Sequence, residues 1–221
     1  MKVPDLVPTI FTTEVLEVEK RLKKALGLVS WLHLDLIDGL YISPASVSPS
    51  DLEKIKLLRG FKLGFHLMVK EPLSFIEKIM VLNPKRIISQ IEAIDNQEDY
   101  VEVLKDKKIE AGLALDFGTG INLIKKEVFS KLDYILIMLY KAGWGGGKPS
   151  KERMDMVKSL KEYRDKNNFS FKIIVDGGIN ENNIKSCLDF GADILAVGDA
   201  IWKSDNIKEG IFKLRSIIHE N

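Results

Sequence analysis

The feature that most constrains the fold is a regular alternation of short apolar runs with segments of helical apolar spacing. The alternation recurs about eight times along the 221 residues. The predicted strands are Val3–Ile10, Trp31–Ile37, Lys62–Leu67, Arg86–Ile91, Ala111–Leu115, Tyr134–Met138, Lys172–Val175 and Ile194–Val197. The helical spacing is clearest at Val15, Val18, Leu22 and Leu26. Strands separated by helices give right-handed crossovers and therefore a parallel sheet.

Eight such units predict a compact (β/α)8 barrel, the TIM-barrel architecture. No Pro/Ser/Gly-rich linker divides the chain, so we predict a single domain over residues 1–221. An open doubly wound sheet is the alternative, but no GxGxxG sequence follows the first strand. Local signals agree with the alternation. Pro72 suits a first helical turn, Gly27 marks a helix end, and Asn180 is predicted to cap the helix after the seventh strand.

Composition excludes several classes of partner. The 33 basic and 32 acidic side chains nearly balance, so no net field favours nucleic acid or a membrane surface. No apolar run approaches the roughly 20 residues of a membrane span, and the N-terminus lacks a signal-peptide pattern. The lone cysteine, Cys187, rules out an intramolecular disulfide and fits a reducing compartment. We therefore expect a cytoplasmic protein that acts on a small molecule.

Polar residues interrupt three of the predicted strands. His33 and Asp35 are two residues apart, so on a strand they share one face, and His66 lies on the next strand. Asp176 directly follows the seventh predicted strand. Burying a polar group inside a barrel is costly unless the group is hydrogen-bonded or binds a ligand. The active sites of such barrels lie at the C-terminal ends of the strands. A single strand histidine is usually structural, whereas four such groups at matching positions favour a site.

Two imidazoles and two carboxylates predict a divalent metal site. This mixed ligand set suits Zn²⁺, Fe²⁺, Mn²⁺ or Co²⁺ and does not choose among them. Two carboxylates beside a metal can also take a proton from carbon on one face and return one on the other. That is the chemistry of inverting a carbon next to a carbonyl.

Glycine-rich loops follow the last three predicted strands. They contain Gly143-Trp144-Gly145-Gly146-Gly147, Gly177-Gly178 and Gly198-Asp199. Glycine lets backbone amides approach an anion closely, and barrels commonly bind phosphate after the seventh and eighth strands, often with a short extra helix. We expect such a helix at Asp199–Lys203. The alternative is that these glycines only form tight turns.

Together these motifs resemble the ribulose-phosphate 3-epimerase family over nearly the whole chain. Pro8–Phe11 resembles the family's Pro-Ser-Ile-Leu, and His33–Gly39 resembles its His-x-Asp-x-Met-Asp-Gly. His66–Val69 matches its His-Leu-Met-Val, and Val175–Gly178 matches its Val-Asp-Gly-Gly. Gly143–Gly146 resembles its Gly-Phe-Gly-Gly loop. The resemblance implies a ribulose-phosphate-binding type of TIM barrel and an isomerase of the pentose phosphate pathway that can assemble into homo-oligomers.

The resemblance also implies roles for individual residues. One divalent metal ion would be bound by His33, Asp35, His66 and Asp176. Asp35 and Asp176 would be the acid/base pair that interconverts D-ribulose 5-phosphate and D-xylulose 5-phosphate through a metal-stabilised enediolate. The remaining substrate contacts would come from Thr9, Met68, Gly143, Trp144, Gly145, Gly146, Gly177, Gly178, Gly198 and Asp199, the last eight around the phosphate.

The phosphate end departs from the family pattern. Asp199 stands where the family has serine, Lys141 where it has asparagine, and Gln90 where a histidine is expected. A carboxylate about 5 Å from a phosphate costs roughly 3 kcal/mol per unit phosphate charge. Asp199 therefore has to cap the short helix, or Lys141 or Lys148 has to offset its charge. Otherwise the chain is a 3-epimerase of a different or non-phosphorylated ketose. A non-catalytic sugar-binding barrel is the third hypothesis.

Overall fold

Eight parallel strands form a closed barrel in chain order in the computed structural model, which describes residues 5–140 and 149–219. The predicted (β/α)8 architecture is confirmed. Two strands end one residue later than predicted, so that Met68 and Asp176 are their last residues. The fifth strand begins one residue earlier than predicted, at Glu110, and the fourth ends one residue earlier, at Gln90. The strands are β1 (Asp5–Ile10), β2 (Trp31–Ile37), β3 (Lys62–Met68), β4 (Arg86–Gln90), β5 (Glu110–Leu115), β6 (Tyr134–Met138), β7 (Lys172–Asp176) and β8 (Ile194–Val197).

Helices cover the outside of the barrel. They are α1 (Val15–Ala25), α2 (Pro49–Glu53), α3 (Pro72–Ile79), α4 (Gln97–Asp106), α5 (Lys151–Lys166), α6 (Ile184–Asp189), α7 (Asp199–Trp202) and α8 (Ile207–His219). The connection from β5 to β6 is different, since residues 116–133 contain only the 3-10 turns Ile121–Leu123 and Phe129–Lys131. The helices bury their apolar faces against the outward side chains of the strands.

The end of α1 differs in part from the sequence prediction. Gly27 has φ +78°, a left-handed conformation that suits glycine just past a helix end. Leu26 was predicted on the buried face of the helix, but α1 stops at Ala25 and Leu26 is extended and 51% exposed. The apolar spacing therefore overruns the helix by one residue.

The N-termini of two other helices test the predicted capping signals. Pro72 is the first residue of α3, as predicted. The prediction for Asn180 is wrong, because Asn183 occupies the N-cap position of α6. The Asn180 side chain instead accepts a hydrogen bond from the Asn182 backbone amide at 2.9 Å. Residues 181–183 form a turn between β7 and α6, so the helix begins later than the position of Asn180 predicts.

Strand alternation divides β2 between two environments. Leu32, Leu34 and Leu36 face the helical layer and join its apolar cluster. Ile37 belongs to a second cluster inside the barrel, with residues such as Leu136. The odd-numbered residues of β2 therefore point inward, which carries the two polar residues of this strand into the barrel.

A cationic side chain closes the N-terminal end of the barrel. Arg86 is 4% exposed, and its guanidinium carbon lies 3.7 Å from the ring centroid of Tyr134 and 4.6 Å from that of Trp31. Its Nε is 3.7 Å from Oε2 of Glu110. Stacking on two aromatic faces stabilises a guanidinium that would be costly to bury alone. With this end filled, the C-terminal end is the one that holds the cavity described below.

No helix within the described residues is both long enough and apolar enough to cross a membrane.

Candidate metal centre and active site

Four polar side chains meet inside the C-terminal half of the barrel. His33 and Asp35 come from β2, His66 from β3, and Asp176 is the last residue of β7. One possible ligand atom from each lies within 4.8 Å of the other three. The strand register places Asp35 directly beside His66. The structure thus brings together the four residues that the sequence singled out.

Asp35 lies at the centre of this cluster. Its Oδ1 is 3.2 Å from Nδ1 of His66 and 3.4 Å from Nε2 of His33. Its Oδ2 accepts a hydrogen bond of 2.9 Å from the Thr9 hydroxyl. Asp176 is more distant, with 3.9 Å between its Oδ2 and Nε2 of His33. One Asp35 oxygen is therefore fixed by Thr9, and the other faces both imidazoles.

The far side of the His66 ring is held by Gln90, which is fully buried. In the amide orientation that satisfies all of its neighbours, the Gln90 oxygen accepts from Nε2 of His66 at 3.1 Å. The Gln90 nitrogen then donates to Oε2 of Glu92 at 3.0 Å and to the Ala114 carbonyl at 3.3 Å. A hydrogen on Nε2 leaves Nδ1 of His66 as the ring atom that faces the cluster.

The two carboxyl groups have opposite pKa shifts. Burial opposes ionisation of Asp35, but contacts with the His33 and His66 imidazoles outweigh it and hold the pKa of Asp35 below its usual range. Burial and the nearby Asp35 charge raise the pKa of Asp176 to about 6. The two carboxyl groups therefore differ in pKa, and Asp176 is the one that is more easily protonated, although both residues are aspartates.

The cluster fits a divalent cation on three observations. Nε2 of His33 is buried and has no hydrogen-bond partner among the described residues. Nδ1 of His66 faces a carboxylate oxygen, an arrangement that needs either a proton or a cation between the two atoms. Two imidazole nitrogens and two carboxylates are also ligands that first-row divalent metals accept.

A cavity of about 410 Å³ opens at the cluster. Nine of the residues expected at the site line it, and His33 belongs to the four-residue cluster without lining the cavity. Those nine are Thr9, Asp35, His66, Met68, Asp176, Gly177, Gly178, Gly198 and Asp199. The expected loop residues Gly143, Trp144, Gly145 and Gly146 lie outside the described residues.

Two of the lining glycines are required by their surroundings. Gly177 has φ +111°, and a Cβ there would lie 3.0 Å from the Tyr140 backbone nitrogen. A Cβ on Gly198 would lie 3.2 Å from a methyl carbon of Thr9. Any larger residue at these positions would have to displace the backbone of the neighbouring strand end or the Thr9 side chain.

Asp199 does not cap the short helix, which is the first of the two sequence-based explanations. It is the first residue of α7, whose N-cap is Gly198, and its side chain makes no capping hydrogen bond. Its Oδ2 accepts from Nζ of Lys203 at 2.9 Å. The charge of Asp199 is therefore offset by its neighbour one turn along the helix. Lys141 and Lys148, the other predicted partners, lie outside the described residues.

Sequence reasoning missed several residues of the cavity wall. Arg21 and Trp202 both line it, together with Phe11 and Met138. The indole nitrogen of Trp202 donates to the Thr9 carbonyl at 2.5 Å. The sequence does not single out Arg21, because it is one of several charged residues on an amphipathic helix.

The chain is similar to known proteins over most of its length. Residues 5–202 match the model of the ribulose-phosphate 3 epimerase family. The chain is 29% identical over 187 residues to the ribulose-phosphate 3-epimerase of Aquifex aeolicus, covering 85% of this chain and 84% of that one. It is 27% identical over 203 residues to the Bacillus subtilis ribulose-phosphate 3-epimerase, covering 91% and 90%.

A solved structure supports the fold independently of sequence. The KGPDC from Streptococcus mutans superposes with a TM-score of 0.72 at 13% identity, and the match covers 99% of each chain. This likeness concerns the barrel alone. The family match over nearly the whole length decides the identity: this chain belongs to the ribulose-phosphate 3-epimerase family of isomerases.

Proposed function

We propose that this protein interconverts D-ribulose 5-phosphate and D-xylulose 5-phosphate by inverting carbon 3, with one divalent metal ion bound. The observation that carries the proposal is the convergence of two carboxylates and two imidazoles within 4.8 Å at the floor of a cavity. We propose His33, Asp35, His66 and Asp176 as the metal ligands. The metal is Zn²⁺, Fe²⁺, Mn²⁺ or Co²⁺. We also propose that residues 1–221 form one domain, which the closed ring of eight strands supports.

In this scheme Asp35 and Asp176 exchange protons with opposite faces of carbon 3. They come from β2 and β7, which β1 and β8 separate in the ring. One carboxylate removes the proton from carbon 3, and the other, already protonated, delivers a proton from the far side. The C–H bond that breaks on one face is replaced by a C–H bond on the other, so the configuration inverts. A bound divalent cation would stabilise the negative charge that develops on the substrate's carbonyl and hydroxyl oxygens.

The surrounding residues support this division of roles. Thr9 holds one oxygen of Asp35, which fixes the orientation of that carboxylate toward the cavity. The raised pKa of Asp176, about 6, makes this carboxyl the easier one to protonate near neutral pH. Met68 and Met138 contribute apolar wall beside the cluster. An apolar wall limits water at the reacting carbon and strengthens electrostatic interactions there.

We propose that the phosphate end of the substrate lies against Gly177, Gly178, Gly198 and Asp199. The backbone here is close-packed and glycine-dependent, as a backbone anion site requires. The ion pair between Asp199 and Lys203 offsets the charge that favoured a non-phosphorylated ketose. A phosphorylated ketose is therefore the better-supported substrate class.

The test is exchange of the carbon 3 proton with solvent. Purified protein is analysed for bound metal and then incubated with D-ribulose 5-phosphate in deuterium oxide, and deuterium at carbon 3 is followed by NMR. We expect incorporation by the wild type and a loss of at least about 10³-fold in Asp35→Asn and Asp176→Asn, because each lacks an acid/base group. Asp155→Asn changes an exposed aspartate on α5 and serves as the matched control.

Full exchange activity in Asp35→Asn or Asp176→Asn would refute the two-carboxylate scheme. A metal-loaded wild type that exchanges no ketose proton would instead favour a sugar-binding barrel. Exchange with D-ribulose but not with D-ribulose 5-phosphate would favour the non-phosphorylated substrate.

A further inference from the structure

Arg21 is a cation in the cavity wall that the proposed mechanism does not use. It lies on α1, yet its side chain reaches the cavity that Asp35 and Asp176 also line. Among the described residues that line this cavity, it is the only arginine or lysine. Its side chain is 20% exposed, so the guanidinium is largely withdrawn from bulk water.

Three contacts fix the guanidinium in place. Its Nε donates to Oε1 of Glu17 at 3.0 Å, and its Nη1 donates to the Phe11 carbonyl at 3.3 Å. Its central carbon lies 5.5 Å from the ring centroid of Trp202. Nη2 donates to no group among the described residues. The result is a preorganised planar group with one set of N–H donors left for a ligand.

The side chains of Arg21, Glu17 and Lys20 together carry a net positive charge. Glu17 is shared between Arg21 and Lys20, whose Nζ lies 3.5 Å from Oε2 of Glu17. These three side chains therefore sum to one positive charge. Asp199 and Lys203 form their own pair and sum to zero. Because Glu17 is shared with Lys20, the charge of Arg21 is only partly neutralised where Arg21 lines the cavity.

We propose that Arg21 is a specificity-determining residue that binds the distal phosphate of the ketose through Nη2. The inference rests on the proposed function and deepens it, because it names the group that selects a phosphorylated substrate. A guanidinium suits this task, since its charge-assisted hydrogen bonds to phosphate oxygens are strong and directional. Trp202 contacts both Arg21 and the Thr9 carbonyl, so the phosphate contact is anchored to the same strand end that orients Asp35.

A purely structural role for Arg21 makes a different prediction. If its only task were to hold the Phe11 carbonyl, its loss would disturb the β1–α1 loop and lower turnover of every substrate alike. A phosphate-binding role instead weakens binding of phosphorylated ligands and spares the chemical step. A phosphate-binding role should therefore change KM more than kcat, and should affect phosphorylated substrates more than unphosphorylated ones. A structural role should lower kcat for both kinds of substrate.

The experiment compares Arg21→Met and Arg21→Lys in the metal-loaded enzyme. Arg59→Met, at an exposed arginine outside the site, is the matched control. We expect Arg21→Met to raise KM for D-ribulose 5-phosphate and Ki for inorganic phosphate about tenfold or more, with a much smaller change in kcat. The ratio of kcat/KM for D-ribulose 5-phosphate over D-ribulose should fall by a similar factor. Arg21→Lys should recover part of the loss, because it keeps the charge and loses the planar fork.

The proposal would be overturned if Arg21→Met lost kcat/KM equally for D-ribulose 5-phosphate and D-ribulose, or if its Ki for inorganic phosphate were unchanged. Direct binding of D-ribulose 5-phosphate, measured calorimetrically, keeps this test separate from the epimerase proposal. If the wild type shows no proton exchange but binds the ligand at least about tenfold more tightly than Arg21→Met, the epimerase proposal fails and the Arg21 proposal stands. If both bind it equally, the Arg21 proposal fails whatever the activity.

Discussion

Replacing Gln90 with methionine tests whether the barrel interior prepares His66 to bind a cation. Gln90 is fully buried and receives the Nε2 hydrogen of His66 at 3.1 Å. Methionine has a similar length and fills the same space, so the cavity penalty is small. The substitution removes the acceptor that fixes the histidine tautomer. The His66 ring is then free to place its hydrogen on Nδ1, the atom that faces the cluster.

The expected magnitude follows from the contacts that are lost. Removing the hydrogen-bond partner of a metal-binding histidine lowers metal affinity by about 10- to 100-fold. That range corresponds to roughly 1.4 to 2.7 kcal/mol of metal-binding free energy. The buried His66 nitrogen and Ala114 carbonyl also lose a partner, so the free energy of unfolding of the metal-free protein should fall by about 1–3 kcal/mol.

The assay is competition for Zn²⁺ or Co²⁺ with a chromophoric chelator, alongside urea unfolding of the metal-free protein. Gln97→Met is the matched control, because Gln97 is also buried and bridges the Leu123 carbonyl and the Lys125 amide away from the cluster. It should lower stability without changing metal affinity. If Gln90→Met binds metal within twofold of the wild type, or if Gln97→Met loses as much affinity, the reasoning about His66 is wrong.

Two further predictions concern protonation. Metal affinity should fall as the pH drops below about 6, by about tenfold per unit, because the metal then displaces a proton from Asp176, whose pKa burial and Asp35 raise to about 6. A flat titration of metal affinity between pH 5 and 7 would contradict the ligand assignment. Burial raises the pKa of Cys187 to about 12, so the folded protein should react with iodoacetamide at pH 8 at least about 10³-fold more slowly than the urea-unfolded chain. Mass spectrometry of timed samples measures both rates, and equal rates would show that the thiol is accessible.

The barrel follows from the sequence because its signals are local. In β2 the polar residues His33 and Asp35 alternate with Leu32, Leu34 and Leu36, and this period of two already assigns the two faces of the strand. The predicted bounds of β6 and β8 agree with the structure at both ends. Where local signals compete, the predictions fail. The Asn180 capping prediction is wrong because a turn intervenes before α6. The apolar spacing that predicts α1 continues to Leu26, although the helix ends at Ala25.

The polar networks around the site depend on contacts between distant parts of the chain. Gln90 departs from the family's histidine, and only the packing of β4 against β3 shows that it holds His66. The pairing of Asp199 with Lys203 is an exception, because it follows the i,i+4 spacing of a helix and is local in the sequence. Arg21 reaches the cavity because α1 packs beside the end of β1 and close to Trp202. The contacts of Gln90 with His66 and of Arg21 with the cavity follow no spacing rule in the sequence.

The order of residues alone determined the number of strands, their direction and the four side chains that share the barrel interior, because periodicity and strand ends are properties of neighbouring residues. Tertiary structure alone decided the partner that holds His66, the unequal pKa values of the two aspartates and the position of Arg21 in the cavity wall. Those properties depend on distances of 3–6 Å between residues far apart in the chain, where hydrogen bonding and electrostatic energies change steeply.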